Sequence, residues 1–184
     1  MLAGVLGENG VVLVAESEVY AFLDKLPAQR TTFTEIVVTG ELNHTLHVTD
    51  MHLVFVQRIC LDGSLCSVAV PAKDVKVGDL VYVHNSGLQS EMGVGMVLDT
   101  RLFYSVGAFA PATRTGTLLV DGVLASNYAM VGTDTCHETA HIAFAPLRSL
   151  TSVVGHLWEE EEGVHWYAAL LQSLHNILSF AAVV

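Results

Sequence analysis

The sequence predicts an all-β fold that ends in a helical tail. Short runs rich in Val, Leu, Ile, Thr and aromatic residues, punctuated by Gly, Pro, Asn and Asp, fill residues 1–135. From residue 147 onward the apolar spacing becomes helical. Apolar residues make up 52% of the 184 and charged residues only 15%, enough for one well-filled core with a small appendage.

The strands follow in order. Asn9-Gly10 predicts a hairpin turn between runs at Leu2–Leu6 and Val11–Ala15. Glu18–Leu23 and Phe33–Val38 read as strands separated by a turn at Pro27. The stretch Leu42–Val56 alternates in part, through Leu46, Val48, Leu53 and Phe55. Ser67–Val70 is the next strand, and Gly78-Asp79 turns the chain into Leu80–Val83. Val94–Leu98, Leu102–Val106, Thr117–Val120 and Ala125–Val131 complete the β set. Many short strands at close spacing predict an all-β architecture. Helices are expected at Leu147–Trp158 and Val164–Phe180, with the acidic run Glu159–Glu162 as a solvated link.

Composition also excludes. The formal net charge is −11, from 19 acids against 8 bases. Nucleic-acid binding needs clustered Lys and Arg, which are absent, and an anionic membrane surface would repel this chain. Membrane contact is therefore expected only through apolar burial. The apolar start is interrupted by Glu8 and Asn9 and has no basic leader region, so it is a poor signal peptide. No run is long enough for a transmembrane helix. Three cysteines, Cys60, Cys66 and Cys136, are an odd number, which is not a disulfide framework, although Cys60 and Cys66 lie close enough in sequence to pair.

Three groups of residues carry chemistry. Thr49-Asp50-Met51-His52 ends one apolar strand and runs into LVFV. A hydroxyl and an imidazole three residues apart can grip one amide, and the imidazole can protonate its departing nitrogen. By itself the spacing also fits a histidine satisfied at a strand end. Asp24, in SEVYAFLDK, reads by itself as a turn residue before Lys25 and Pro27, although a carboxylate whose pKa burial raises could serve as a base. His137 and His141 are four apart and would share a helix face, but no third metal ligand stands at useful spacing.

Taken together, LHVTDMHLVFV, DGVLASNYA, AHIAFAPLR and GVHWYAALL resemble, in this order, the autoprocessing Hint or "Hog" domain of hedgehog proteins. The resemblance covers nearly the whole chain. It implies a Hint β-horseshoe over residues 1–146 and a helical, sterol-recognition-like tail over 147–184. It implies self-cleavage by an N–S acyl shift at a cysteine, followed by transfer of the acyl group to cholesterol. Thr49 and His52 would serve the first step, and Asp24 would activate the sterol hydroxyl in the second. Asn127 and His141 would support the site, and Trp166, Tyr167, Leu170 and Leu174 would hold the sterol. Neither metal nor coenzyme is implied; cholesterol is a substrate. The implied partners are an upstream signalling domain in cis and a membrane reached through the tail. The implied location is the secretory pathway.

The chain departs from the family in three places. The family's Cys-Phe start and the segment after it have no counterpart here, and none of the three cysteines matches the nucleophile position. The expectation is a horseshoe incomplete at its amino end and inactive as it stands. Asn127 replaces the cysteine of the family's ASCYA, and Asp50 replaces the proline of TPxH. A non-catalytic module that binds sterol or a partner through its tail is the alternative.

Overall fold

A computed structural model of the chain describes all residues except 7–11, 41–42, 62, 85–90, 131–135, 156–161 and 182–184. The described residues form β1 (Leu2–Leu6), β2 (Val12–Glu16), β3 (Val19–Val38), β4 (His44–Thr49), β5 (His52–Ile59), β6 (Leu65–Pro71), β7 (Leu80–Val83), β8 (Gly93–Thr113), β9 (Thr117–Val120), β10 (Val123–Ala129) and β11 (Gly163–Val164). The helices are α1 (His137–Ala143), α2 (Ala145–Val154) and α3 (Trp166–Ala181). The chain is therefore mostly β with a helical end, as the patterning predicts.

The β1–β2 hairpin forms with Leu6 opposite Val12. The Asn9-Gly10 turn assigned to it lies outside the described residues. The other strands form one sheet in the order β11-β3-β8-β7-β10-β5-β6, with β4 on β3 and β9 on β10.

Two strands are longer than predicted. Residues 19–23 and 33–38 belong to a single strand, β3, of 20 residues, and residues 94–98 and 102–106 belong to β8, of 21. Pro27 does not turn the chain. It sits in the register break between Leu26 and Arg30, where no ladder hydrogen bond is required of it. Gly107 faces this break with φ +89°, a left-handed conformation, and approaches the Pro27 carbonyl closely. A bulge thus replaces the expected turn, and β3 and β8 stay paired from Val19–Thr113 to Val38–Val97.

Three apolar clusters fill the interior. Ile36, Val38, Leu46, Val54, Val56, Val81 and Val97 form the first. Tyr20, Leu23, Leu53, Tyr128, Phe144 and Leu147 form the second, where the helices meet the sheet. Val12, Phe55, Tyr82 and Leu124 join the β1–β2 hairpin to the rest. Cys60 and Cys66 are joined in a disulfide at the end of the β5–β6 hairpin, so Cys136 is the odd cysteine and is exposed. The odd total hid a real bridge, which the β5–β6 register makes possible by bringing Arg58 opposite Cys66.

Helix starts before residue 147. The segment carrying His137 and His141 is itself helical, and α2 opens with Pro146 in its first turn, where a missing N–H costs nothing.

Candidate active site

The centre of the site is a bulge. β10 pairs with β5 at Ala125–Val54 and again at Ala129–His52, with a register shift between. The extra residues of β10 cannot all pair with β5; Ser126 pairs with Thr117 of β9 on the other side and has no strand partner on this one. Its carbonyl accepts a hydrogen bond from His52 Nε2 at 2.6 Å. A carbonyl oxygen cannot donate, so the proton of the neutral ring is on Nε2 and Nδ1 is bare. Desolvation lowers the His52 pKa, and the Ser126 hydrogen bond opposes this less strongly. The ring is thus held as a neutral base.

Thr49 ends β4 and His52 opens β5, with the tight turn Asp50–Met51 between them. The turn is fixed from two sides. The Asp50 carbonyl accepts from the Lys73 N–H at 2.9 Å, and the Met51 carbonyl accepts from the Met130 N–H at 2.8 Å. Thr49 is half-buried, and no hydrogen bond joins its side chain to His52.

Successive strand residues face opposite ways, and the bulge uses both faces. Asn127, on one, donates from its amide to the Thr113 carbonyl at 2.9 Å. This ties β10 to the end of β8 and does not reach His52. On the other face Ser126 Oγ lies 2.9 Å from His137 Nδ1. His137 and His141 do share a helix face: their rings stack at 5.8 Å and 10°. His141 Nδ1 accepts from Tyr128 O–H at 3.0 Å, and Arg148 donates to the His141 carbonyl at 2.6 Å. Desolvation, then the nearby Arg148 charge, lowers the His141 pKa to about 4. No group of three His, Cys, Asp or Glu side chains among the described residues is placed to hold a metal ion.

Sequence reasoning singled out Asn127 and His141 but passed over Ser126 and gave His137 no role beyond an incomplete metal pair. The signal was present in part. Ser126 neighbours Asn127, so it must face the opposite side of β10, and His137 shares the spacing of His141 on a helix.

Asp24 is on another edge of the same body. It pairs with Ala110 of β8 and with Val164 of β11. Its Oδ1 is sealed from solvent without a hydrogen-bond partner. Desolvation raises its pKa, and the Lys25 backbone N–H lowers it by less. Asp24 and His52 are not hydrogen-bonded, but Leu23 and Leu53, their sequence neighbours, share one apolar cluster.

The tail is stitched to β3 beside Asp24. His165 N–H donates to the Leu23 carbonyl at 2.9 Å. The four tail residues then divide. Tyr167 packs on the second cluster and donates its hydroxyl to the Ala143 carbonyl at 2.9 Å. Trp166, Leu170 and Leu174 point outward, each about half exposed. Their spacing of four makes one stripe along α3. Among the described residues no helix is long and apolar enough to cross a membrane.

Comparison with known proteins gives the family. Residues 5–180 match the family model of the Hint module. The chain is similar to Indian hedgehog protein of Gallus gallus, 37% identical over 176 residues, covering 95% of this chain and 41% of that one. It is similar to Tiggy-winkle hedgehog protein of Danio rerio, 34% identical over 174 residues, covering 89% and 39%. It is also 30% identical over 183 residues to Protein hedgehog of Drosophila erecta, covering 87% and 36%. The chain thus spans about two fifths of the length of the curated relatives it matches.

Proposed function

Because the chain belongs to the Hint module family, in its hedgehog form, we propose that it is an autoprocessing domain that transfers an upstream fragment to a sterol, cholesterol above all. Cys60 and Cys66 are tied to each other and Cys136 is exposed on α1's rim. None of the three matches the nucleophile position of the family, so this reading puts the nucleophile on a cysteine outside residues 1–184, without which the 184 residues would not cleave.

In the first step the thiol loses its proton to the bare Nδ1 of His52. The thiolate attacks the preceding peptide carbonyl, and Thr49 steadies the amide. His52 returns the proton to the departing nitrogen, leaving a thioester and a free amine. In the second step the sterol hydroxyl attacks the thioester, Asp24 accepts its proton, and the sulfur leaves as thiolate. Desolvation suits Asp24 to this, since a carboxylate with a raised pKa is a stronger base.

One observation carries this reading. β11 pairs with β3 at Asp24, so the proposed base and the helix bearing Trp166, Leu170 and Leu174 lie on neighbouring strands. That stripe would receive the sterol and rest on a membrane. The disulfide fits an oxidising compartment, which favours the secretory pathway. The same stripe also suits a non-catalytic sterol- or partner-binding module. A full precursor incubated with thiol or with sterol separates the two. Autoprocessing predicts a thiol adduct and a sterol ester of the upstream fragment, and absence of both rejects it.

A further inference from the structure

Ser126 ties two histidines together, and both ties depend on one orientation of one residue. Its carbonyl holds His52 Nε2. Its hydroxyl lies 2.9 Å from His137 Nδ1 and 3.0 Å from the Tyr128 backbone nitrogen. The Tyr128 N–H can only donate, so Oγ accepts there. Ser126 is fully buried, and His137 Nδ1 is the acceptor that remains for its own proton. Oγ–H therefore donates to His137, whose ring proton is on Nε2.

On one side the ladder holds this stretch, since Ser126 pairs with Thr117 of β9 and the Asn127 N–H donates to the Gly116 carbonyl at 2.9 Å. On the side of His52 it does not, because β10 leaves register with β5 between Ala125 and Ala129, and there side chains complete the hold. From one face Asn127 anchors the bulge to Thr113. From the other the anchor is His137, and its ring is wedged. It stacks on His141 and meets the Phe55 ring edge-on at 5.0 Å. Without the Ser126–His137 bond the carbonyl that fixes His52 loses its support from the helix side.

We propose that His137 is a positioning residue: through Ser126 Oγ it clamps the β10 bulge, and the clamped carbonyl orients His52 with Nδ1 bare. The inference rests on the autoprocessing role given to His52, but the first test needs no cleavage. In the full chain, labelled with ¹⁵N, the Nε2–H of His52 should give a ring-proton resonance protected from solvent exchange. His137→Leu should lose that resonance. His137→Asn, which offers an acceptor near the place of Nδ1, should keep it. A folded His137→Leu chain that keeps the resonance overturns the proposal. If His137→Leu fails to fold, the wild-type chain decides: a His137 ring protonated on Nδ1 overturns the proposal, and one protonated on Nε2 supports it. In the full precursor, His137→Leu should slow thiol-induced cleavage on the order of 10²-fold, the cost of a misplaced catalytic group. His137→Asn should restore most of the rate, and equal loss in both variants counts against clamping. A wild-type precursor that never cleaves sinks the autoprocessing reading instead, while the ring resonances still decide this one.

Discussion

The surroundings of His52 and of Asp24 differ in how they are held. Around His52, Ser126, Tyr128, His137, His141 and Arg148 are linked by hydrogen bonds or stacked rings. Around Asp24, one carboxylate oxygen is sealed without a partner, and the neighbouring strand β11 is two residues long. A group that must shuttle a proton between two atoms profits from a fixed ring. A base that must meet a separate molecule profits from an edge that admits it, and its strength comes from being incompletely satisfied. The two regions thus embody the two halves of the proposed reaction, one closed and one open.

Separating the two steps breaks this comparison most sharply. In a full precursor, His52→Ala should slow thiol-induced cleavage by about 10²–10⁴-fold, the usual worth of a positioned acid or base. Asp24→Ala should spare thiol-induced cleavage and lower sterol-dependent cleavage by a similar factor. Rates followed on gels decide it; loss of both activities in the Asp24 variant would make that residue structural.

Next in size is the division of the tail. Replacing Trp166, Leu170 and Leu174 together by Ser should weaken sterol use by about tenfold or more, at roughly 1.5 kcal/mol per apolar side chain that the sterol covers. The melting transition should hardly move, because these side chains are already half exposed. Tyr167→Ala should instead cost about 3 kcal/mol of stability in urea unfolding, since it loses core packing and a hydrogen bond. Equal effects of the two variants on stability would refute the division.

A smaller effect sharpens the rigid side. Gly116 has φ +81°, and a Cβ there would strike the His141 ring. Gly155 has φ +73° with open space around it. Gly116→Ala should cost about 1–3 kcal/mol, and Gly155→Ala about 1 kcal/mol, from backbone strain alone. Identical unfolding midpoints for both variants would mean that His141 yields freely.

A pH slope is the last test. The native His141 pKa is about 4, and an unfolded histidine titrates near about 6.5. Between those values the unfolded chain takes the proton and the native chain does not, so stability rises with pH through that window. His141→Asn should flatten the slope while keeping an acceptor for Tyr128. Urea midpoints at about pH 4.5 and about pH 7 measure it; an unchanged slope would show that His141 does not carry it.

The sequence was most legible where punctuation is local. Leu80–Val83 and Thr117–Val120 have the bounds predicted for them, the first set by Gly78-Asp79 and the second by turns around Gly116 and Gly122. It misled at Pro27, because a proline stops a strand only if its nitrogen owes a ladder bond, and β8 opposite supplies a matching irregularity at Gly107. That depends on a partner some eighty positions away, which no local pattern encodes. Thr49 and His52 could be paired by spacing alone. Ser126 could not be joined to His52, since the link is a backbone carbonyl exposed by a register shift, and side-chain identity says nothing about that.

The long β3–β8 pairing also sets a clock. Glu18 and Arg114, which bridge its end, are 96 positions apart, so the pairing waits for most of the chain to leave the ribosome and is slow to close. His52 is synthesised early, yet the carbonyl that fixes it and the helix that braces that carbonyl arrive late. A nascent chain therefore carries an unarmed imidazole. On the proposed function, cleavage would be deferred until synthesis and folding are complete, and a truncated or misfolded translation product would keep any upstream fragment attached.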